Sequence, residues 1–255
     1  MKVAILAGGF GTRLSEYTDK IPKPMVSIGG YPILWHIMNH YYSYGFSDFY
    51  IALGYKSELI KKYFLDLNIL VDDFSIDLKS GDIKVFSKNR PSWKITFVET
   101  GLQSMTGGRV RRLKPYIGEE SFMLTYGDGL SNINISDLIT FHHSHKKIGT
   151  ITAVRPVARF GELVIENKLV KSFKEKPQVS KSWVNGGFFV FNPSIFEYID
   201  NDETVLEAGP LEILSKESNL MAFKHDGFWQ CMDTKRDRDY LEKLWRNGDA
   251  LWCQK

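Results

Sequence analysis

The chain has 255 residues, 43% hydrophobic and 25% charged, a globular balance that leaves fibrous and disordered readings without support. Its net charge is only +3 and its Lys and Arg are scattered, which predicts no nucleic-acid partner. Two cysteines, Cys231 and Cys253, form no disulfide framework and fit a reducing cytoplasm, while no stretch approaches the roughly 18 apolar residues of a membrane span.

The opening Met1 to Ala7 is apolar after Lys2 but meets Gly-Gly at once, too soon for a signal peptide. Val3 to Ala7 reads as a buried central strand. Pro32 to Tyr44 carries Ile33, Leu34, Ile37, Met38 and Tyr41 at helical spacing, and Gly45 ends it. Phe49 to Leu53 predicts a strand and Ser57 to Phe64 a helix. Strand and helix in alternation argue for a parallel sheet with helices on its faces, a doubly wound α/β unit. Ser75 to Val85 and Trp93 to Glu99 are expected strands, with Ser80-Gly81-Asp82 and Lys88-Asn89-Arg90-Pro91 as turns or an exposed insertion. Arg109, Arg111, Arg112 and Lys114 form the nearest approach to a basic patch and suit the phosphates of a small ligand.

Phe122 to Tyr126 predicts a third buried strand, Ile135 to Lys147 a helix and Gly149 to Val154 a strand. Glu162 to Ile165 and Leu169 to Phe173 predict a hairpin, and Gly186 to Phe191 another apolar strand. Leu211 to Ser215 is expected to be helical, Leu220 to His225 extended, and Asp237 to Arg246 a charged helix. With no linker or repeat, residues 1–255 read as one domain with a small C-terminal subregion. His142, His143 and His145 share no single helical face, so solvent exposure is the expectation and a metal cluster the alternative. Cys231 is expected to pack rather than react. Trp229 is left open between stacking on a ligand and filling the core.

Three features carry chemistry. Leu6-Ala7-Gly8-Gly9-Phe10-Gly11-Thr12-Arg13-Leu14 feeds a hydrophobic strand into a glycine turn whose N–H groups can face anionic oxygens. Neither the Walker A sequence nor the Gly-x-Gly-x-x-Gly spacing is present, and a tight strand-to-helix connection is the other reading. Arg13 adds a planar cation for a phosphate. Lys23 stands between Pro22 and Pro24, whose rings restrict where its ammonium can go. Asp128, in Tyr126-Gly127-Asp128-Gly129, and Asp233, in Cys231-Met232-Asp233-Thr234, are candidate Mg²⁺ ligands for a nucleoside triphosphate, or else turn and cap residues.

Together with Glu175-Lys176-Pro177 and Asn185-Gly186-Gly187, these motifs resemble the sugar-1-phosphate nucleotidyltransferases over nearly the whole chain, in the family order. Ile28-Gly29-Gly30, Pro32 to Met38, Thr100-Gly101 and Met105-Thr106-Gly107-Gly108-Arg109 resemble its glucose-1-phosphate cytidylyltransferase branch. The resemblance implies a Rossmann-like nucleotide-diphospho-sugar transferase fold with a mostly parallel mixed sheet. The nucleotide part would span about 1–130 and the sugar-phosphate part about 131–255. It implies CTP and glucose 1-phosphate as substrates, Mg²⁺ as cofactor, and a homo-oligomer, as large as a hexamer.

In that picture Leu6, Ala7, Gly8, Gly9, Gly11 and Thr12 cradle the nucleotide, with Gly127 and Asp128 beside them. Arg13 and Lys23 act on the phosphates during transfer. Gln103, Ser104, Thr106 and Arg109 meet the cytosine nucleotide. Glu175, Lys176, Asn185 and Gly186 meet the sugar phosphate, and Asp128 and Asp233 hold the metal. Ser15-Glu16 and Ile21-Pro22-Lys23-Pro24 depart from the thymidylyltransferase pattern and argue against dTTP. UTP stays open, as does a sensor that binds without turnover.

Overall fold

Alternation along the first strand organises the protein. Val3 and Ile5 enter one hydrophobic layer, while Ala4 and Leu6 enter another on the opposite face. The computed structural model describes residues 1–69, 72–86, 91–156, 162–174 and 182–253. Its central sheet has seven strands: Val3–Leu6 (β1), Asp48–Leu53 (β2), Lys94–Glu99 (β3), Phe122–Tyr126 (β4), Gly149–Val154 (β5), Val184–Phe191 (β6) and Leu220–His225 (β7). Their spatial order is β3-β2-β1-β4-β6-β5-β7. Every neighbouring pair is parallel except those made by β6, which runs antiparallel to β4 and β5. The expected mixed, mostly parallel sheet is therefore present.

Helices cover both faces. Ile33–Ser43 (α1) and Ser57–Ile69 (α2) pack on the layer of Val3 and Ile5, where Leu138 of Ile135–His145 (α4) also lies. Thr106–Ile117 (α3) supplies Val110, Leu113 and Ile117 to the other layer, with Leu211 and Leu214 of Pro210–Lys216 (α5). Full burial of such side chains contributes about 1.5–3 kcal/mol each, so both layers hold the sheet rigid beneath the loops at its strand ends. The helix Lys235–Arg246 (α6) closes the chain's charged end, with Leu241 in the core.

One expectation is refined and one needs correction. The strands expected in Ser75 to Val85 are Phe74–Ile76 and Ile83–Val85, a hairpin with the expected Ser80-Gly81-Asp82 turn between them and, among the described residues, no other strand partner. His142 is not at the surface: it is buried, with its ring nitrogens on Thr150 Oγ1 at 2.9 Å and Asn192 Oδ1 at 3.2 Å. Packing of α4 against β5 turns this residue inward. His143 is exposed, and no metal-ligating cluster of three side chains occurs among the described residues. No described helix is long and apolar enough to cross a membrane.

Candidate active site

In an open α/β sheet, ligands bind beyond the carboxyl ends of the parallel strands. Here the chain leaves β1, β3 and β4 around a cavity of about 650 Å³. Its walls are the glycine loop, the segment from Leu102 to Thr106, the end of β4 and the Asn185–Gly187 stretch of β6. Leu6, Ala7, Gly8, Gly9, Gly11, Thr12, Arg13 and Lys23 all line it. So do Gln103, Ser104, Thr106, Arg109, Gly127, Asp128, Asn185, Gly186 and Asp233. Glu175 and Lys176 fall outside the described residues, as do Lys88-Asn89-Arg90.

Lys23, Asp128 and Asp233 converge. The Lys23 ammonium donates to Asp128 Oδ2 at 2.6 Å and to Asp233 Oδ1 at 2.7 Å, and Arg13 donates to Asp233 Oδ2 at 2.8 Å. Each side chain has a local reason for its position. Pro22 precedes a tight 3-10 turn, Lys23–Met25, that directs Lys23 inward. Asp128 follows β4 and opens a short ribbon in which Gly129–Ser131 pairs antiparallel with Trp229–Cys231. That ribbon carries the 230s back to Asp128, and Met232 N–H donates to Asp128 O at 2.8 Å. Asp233 stands just before the N-cap of α6. There Thr234 and Asp237 form a capping box, and Asp237 also accepts from Asp233 N–H at 3.1 Å.

Charge governs this cluster. Burial alone would lower the Lys23 ammonium, but the two carboxylates outweigh it and hold its pKa above the ordinary lysine value. Burial alone would raise Asp233, yet Lys23 and then Arg13 hold it below the usual carboxylate range. Cys231 is pushed up to about 12 by burial and then by Asp233, so it is a packed thiol and no nucleophile.

The donor set fits a divalent cation. Two carboxylates already share one positive centre, the Lys23 ammonium. Hard oxygen ligands of this number, completed by phosphate and water, are what Mg²⁺ accepts.

The arginines and the glycines divide the labour. Arg109 is 5% exposed and directs its guanidinium at protein: Nη1 at Leu53 O, Thr100 Oγ1 and Gly101 O, Nη2 at Gly8 O and Leu102 O, all within 2.7–3.3 Å. It thus ties the ends of β1, β2 and β3 together from behind. Gly8 is required by that contact, because a Cβ there would stand 2.3 Å from Arg109 Nη1. Gly11 adopts φ 65°, where a side chain would also meet Thr18 at 2.9 Å. Among the described residues no backbone carbonyl accepts from the N–H groups of Gly9, Phe10, Gly11 or Thr12.

The basic run does not act as one patch. On α3, Arg109 turns inward, Arg112 pairs with Asp202, and Arg111 and Lys114 face solvent.

A wall residue and the carboxylate behind it were not singled out as site residues in the sequence. Tyr126 and Glu207 hydrogen-bond to each other, and Asn185 Nδ2 donates to Tyr126 Oη at 3.2 Å. Tyr126 precedes the Gly-Asp-Gly turn and could have been suspected; nothing marks Glu207. Trp229 serves as cavity wall, donating Nε1–H to Gly186 O at 2.7 Å.

The nucleotidyl transferase family model matches residues 2–242. The chain belongs to the nucleotidyl transferase family. Over 253 residues it is 49% identical to the glucose-1-phosphate cytidylyltransferase of Salmonella typhi, covering 99% of this chain and 98% of that protein. It is 44% identical to the probable glucose-1-phosphate cytidylyltransferase of Bacillus subtilis, covering 99% of each. Among solved structures, HddC from Yersinia pseudotuberculosis complexed with GMP-PN superposes with a TM-score of 0.70. That match is 25% identical and covers 96% of this chain and 99% of the other.

Proposed function

We propose that this protein transfers the cytidylyl group of CTP to glucose 1-phosphate, yielding CDP-glucose and diphosphate. The observation that carries the chemistry is the convergence of Lys23, Arg13, Asp128 and Asp233 at a cavity floored by the glycine loop. The choice of CTP and glucose 1-phosphate is supported by the full-length identity to the Salmonella typhi and Bacillus subtilis relatives.

In this reading the open N–H groups from Gly9 to Thr12 receive the triphosphate, and Gln103 to Thr106 line the side that takes the base. A phosphate oxygen of the sugar attacks the α-phosphorus, the α–β bridging P–O bond breaks, and diphosphate leaves with its electron pair. The attacking monoester oxygen is already ionised near neutral pH, so no catalytic base is required. Both reactants are polyanions, and their repulsion is the barrier that Lys23 and Arg13 lower by standing beside the transferring group. Mg²⁺, when bound, would be held by Asp128 and Asp233 and would neutralise phosphate charge. Alignment by a rigid cavity supplies the rest.

The same reading places the enzyme in the cytoplasm as a homo-oligomer. In support of assembly, Leu163, Leu169 and Phe173 of one hairpin are each more than half exposed. Sedimentation of the full chain tests that assembly.

Diphosphate release with glucose 1-phosphate and Mg²⁺, offered CTP, UTP, dTTP and ATP in parallel, tests the reaction. Clear preference for CTP is expected. Preference for another nucleotide overturns the base assignment. Binding that persists after chelation with no product from any nucleotide replaces the enzyme by a sensor.

A further inference from the structure

We infer that Glu207 is a positioning residue for the sugar phosphate, acting through Tyr126 to fix which face of the Asn185 amide meets the substrate. The inference deepens the reading above and rests on it.

Glu207 does not line the cavity, whereas Tyr126 and Asn185 do. Its carboxylate joins two walls. One oxygen accepts from Tyr126 Oη–H, the other from Thr106 Oγ1–H at 2.6 Å, and Leu206 N–H donates to Thr106 Oγ1 at 2.9 Å. Glu207 is thereby held from α3 while it holds the end of β4. The Glu207 carboxylate can only accept, so the Tyr126 hydroxyl donates its hydrogen toward it.

The direction of that bond propagates. With its hydrogen facing Glu207, the Tyr126 oxygen is left as an acceptor, and Asn185 Nδ2 donates to it at 3.2 Å. Asn185 Oδ1 meanwhile accepts from Gly187 N–H at 2.8 Å. Both ends of the amide are thus assigned. Asn185 lines the cavity, and the second N–H of its amide has no protein partner among the hydrogen bonds of the described residues. A donor at that place suits the phosphate and hydroxyl oxygens of a sugar phosphate.

The cavity geometry says which substrate this is. The glycine loop and the Leu102–Thr106 segment occupy the β1, β2 and β3 side of the Lys23–Asp128–Asp233 cluster. Asn185 lies on β6, beyond β4, on the other side. An in-line transfer sets the attacking oxygen opposite the leaving diphosphate, so with the triphosphate on the glycine loop the Asn185 wall faces the attacking sugar phosphate.

Glu207→Gln replaces one acceptor by a donor and leaves one of its two contacts misdirected. Tyr126→Phe removes the link itself. Steady-state kinetics of diphosphate release, with each substrate varied in turn, is the test, run on wild type, both single variants and the double variant. KM for glucose 1-phosphate is expected to rise roughly tenfold in each single variant, the effect of one misdirected hydrogen bond. KM for CTP is expected to move less than twofold. The double variant should equal the worse single variant, because both break one chain.

Equal rises in both KM values, additive losses in the double variant, or an unmoved sugar-phosphate KM would overturn the inference. Should Glu207→Gln fail to fold, Tyr126→Phe decides alone by the split between the two KM values. Wild-type enzyme that releases no diphosphate from CTP and glucose 1-phosphate overturns the substrate assignment instead. The same variants are then compared with the sugar phosphate that does support release.

Discussion

Arg109 and Arg13 border the same cavity and do opposite things. Arg109 is 5% exposed and its guanidinium faces four backbone carbonyls and a threonine hydroxyl. The Arg13 side chain is 71% exposed and contacts only Asp233 among the hydrogen bonds of the described residues. The wall from β1 to α3 is thus built of side chains already committed to protein, while the rim of the glycine loop keeps charge in reserve for a ligand. A phosphate-transfer site needs both: a frame that does not reorganise, and cations that can leave a protein partner for a phosphate. Lys23 stands between the two regions. It is buried like Arg109, yet its partners are the carboxylates at the centre of the chemistry.

The comparison can be broken at each of these three cations. Lys23→Ala is expected to lower kcat/KM by two or more orders of magnitude while the circular dichroism spectrum stays native. A folded variant with near-wild-type turnover would remove Lys23 from the chemistry. Arg109→Ala is expected to cost about 2 kcal/mol, the penalty of leaving buried carbonyls without a donor. For a chain of this size that is roughly 4–8 °C in Tm, measured by calorimetry. Activity should fall with stability, because Gly8 and the Gly101 turn lose their common tie. Arg13→Ala should leave Tm unmoved and lower kcat about tenfold, the scale of one charge-assisted contact made in the transition state. An Arg13→Ala protein that melts early, or an Arg109→Ala protein that does not, would reverse the division of labour.

The sequence showed the frame where hydrophobic runs are unbroken. β1, β2 and β4 are continuous apolar segments, and each was legible within a residue or two. α3 was not. Its first turn carries Gly107 and Gly108, small because Cβ atoms there would stand 2.7 Å from Thr204 O and 2.4 Å from Asp202 O, and Pro115 interrupts its last turn. Those residues read locally as breakers, and only tertiary contact explains them. The cluster was legible in its residue types and not in its meeting. Lys23 lies 105 residues from Asp128 and 210 from Asp233, and only the ribbon joining Gly129–Ser131 to Trp229–Cys231 closes that gap. Glu207 was silent for a related reason: its partners, Tyr126 and Thr106, are 81 and 101 positions away on two different elements. His142 misled because a polar side chain among Lys and His neighbours gives no local sign of the buried Thr150 and half-buried Asn192 that receive it.

His36 extends the comparison into the core behind the wall. Both its ring nitrogens are engaged, Nε2 at 2.9 Å from Ile28 O and Nδ1 accepting from Trp252 Nε1–H at 3.2 Å. That pair of bonds requires the neutral ring with its proton on Nε2. Burial lowers His36 to about 4, and does the same to His40, whose Nε2 meets Ile133 O. The sign follows from proton counting. The folded-state pKa lies below the unfolded value, so the unfolded chain binds more protons as pH falls, and stability is lost from about pH 6.5 downward. Between pH 7 and 5.5 each of the two should cost about 1 kcal/mol, measured by urea unfolding at both pH values. His36→Gln supplies an amide donor and acceptor that do not titrate. It should shrink that acid loss by about 1 kcal/mol even if it is less stable overall. An acid loss of the same size in His36→Gln would mean that His36 is not held neutral, and that this part of the frame is less fully committed than Arg109.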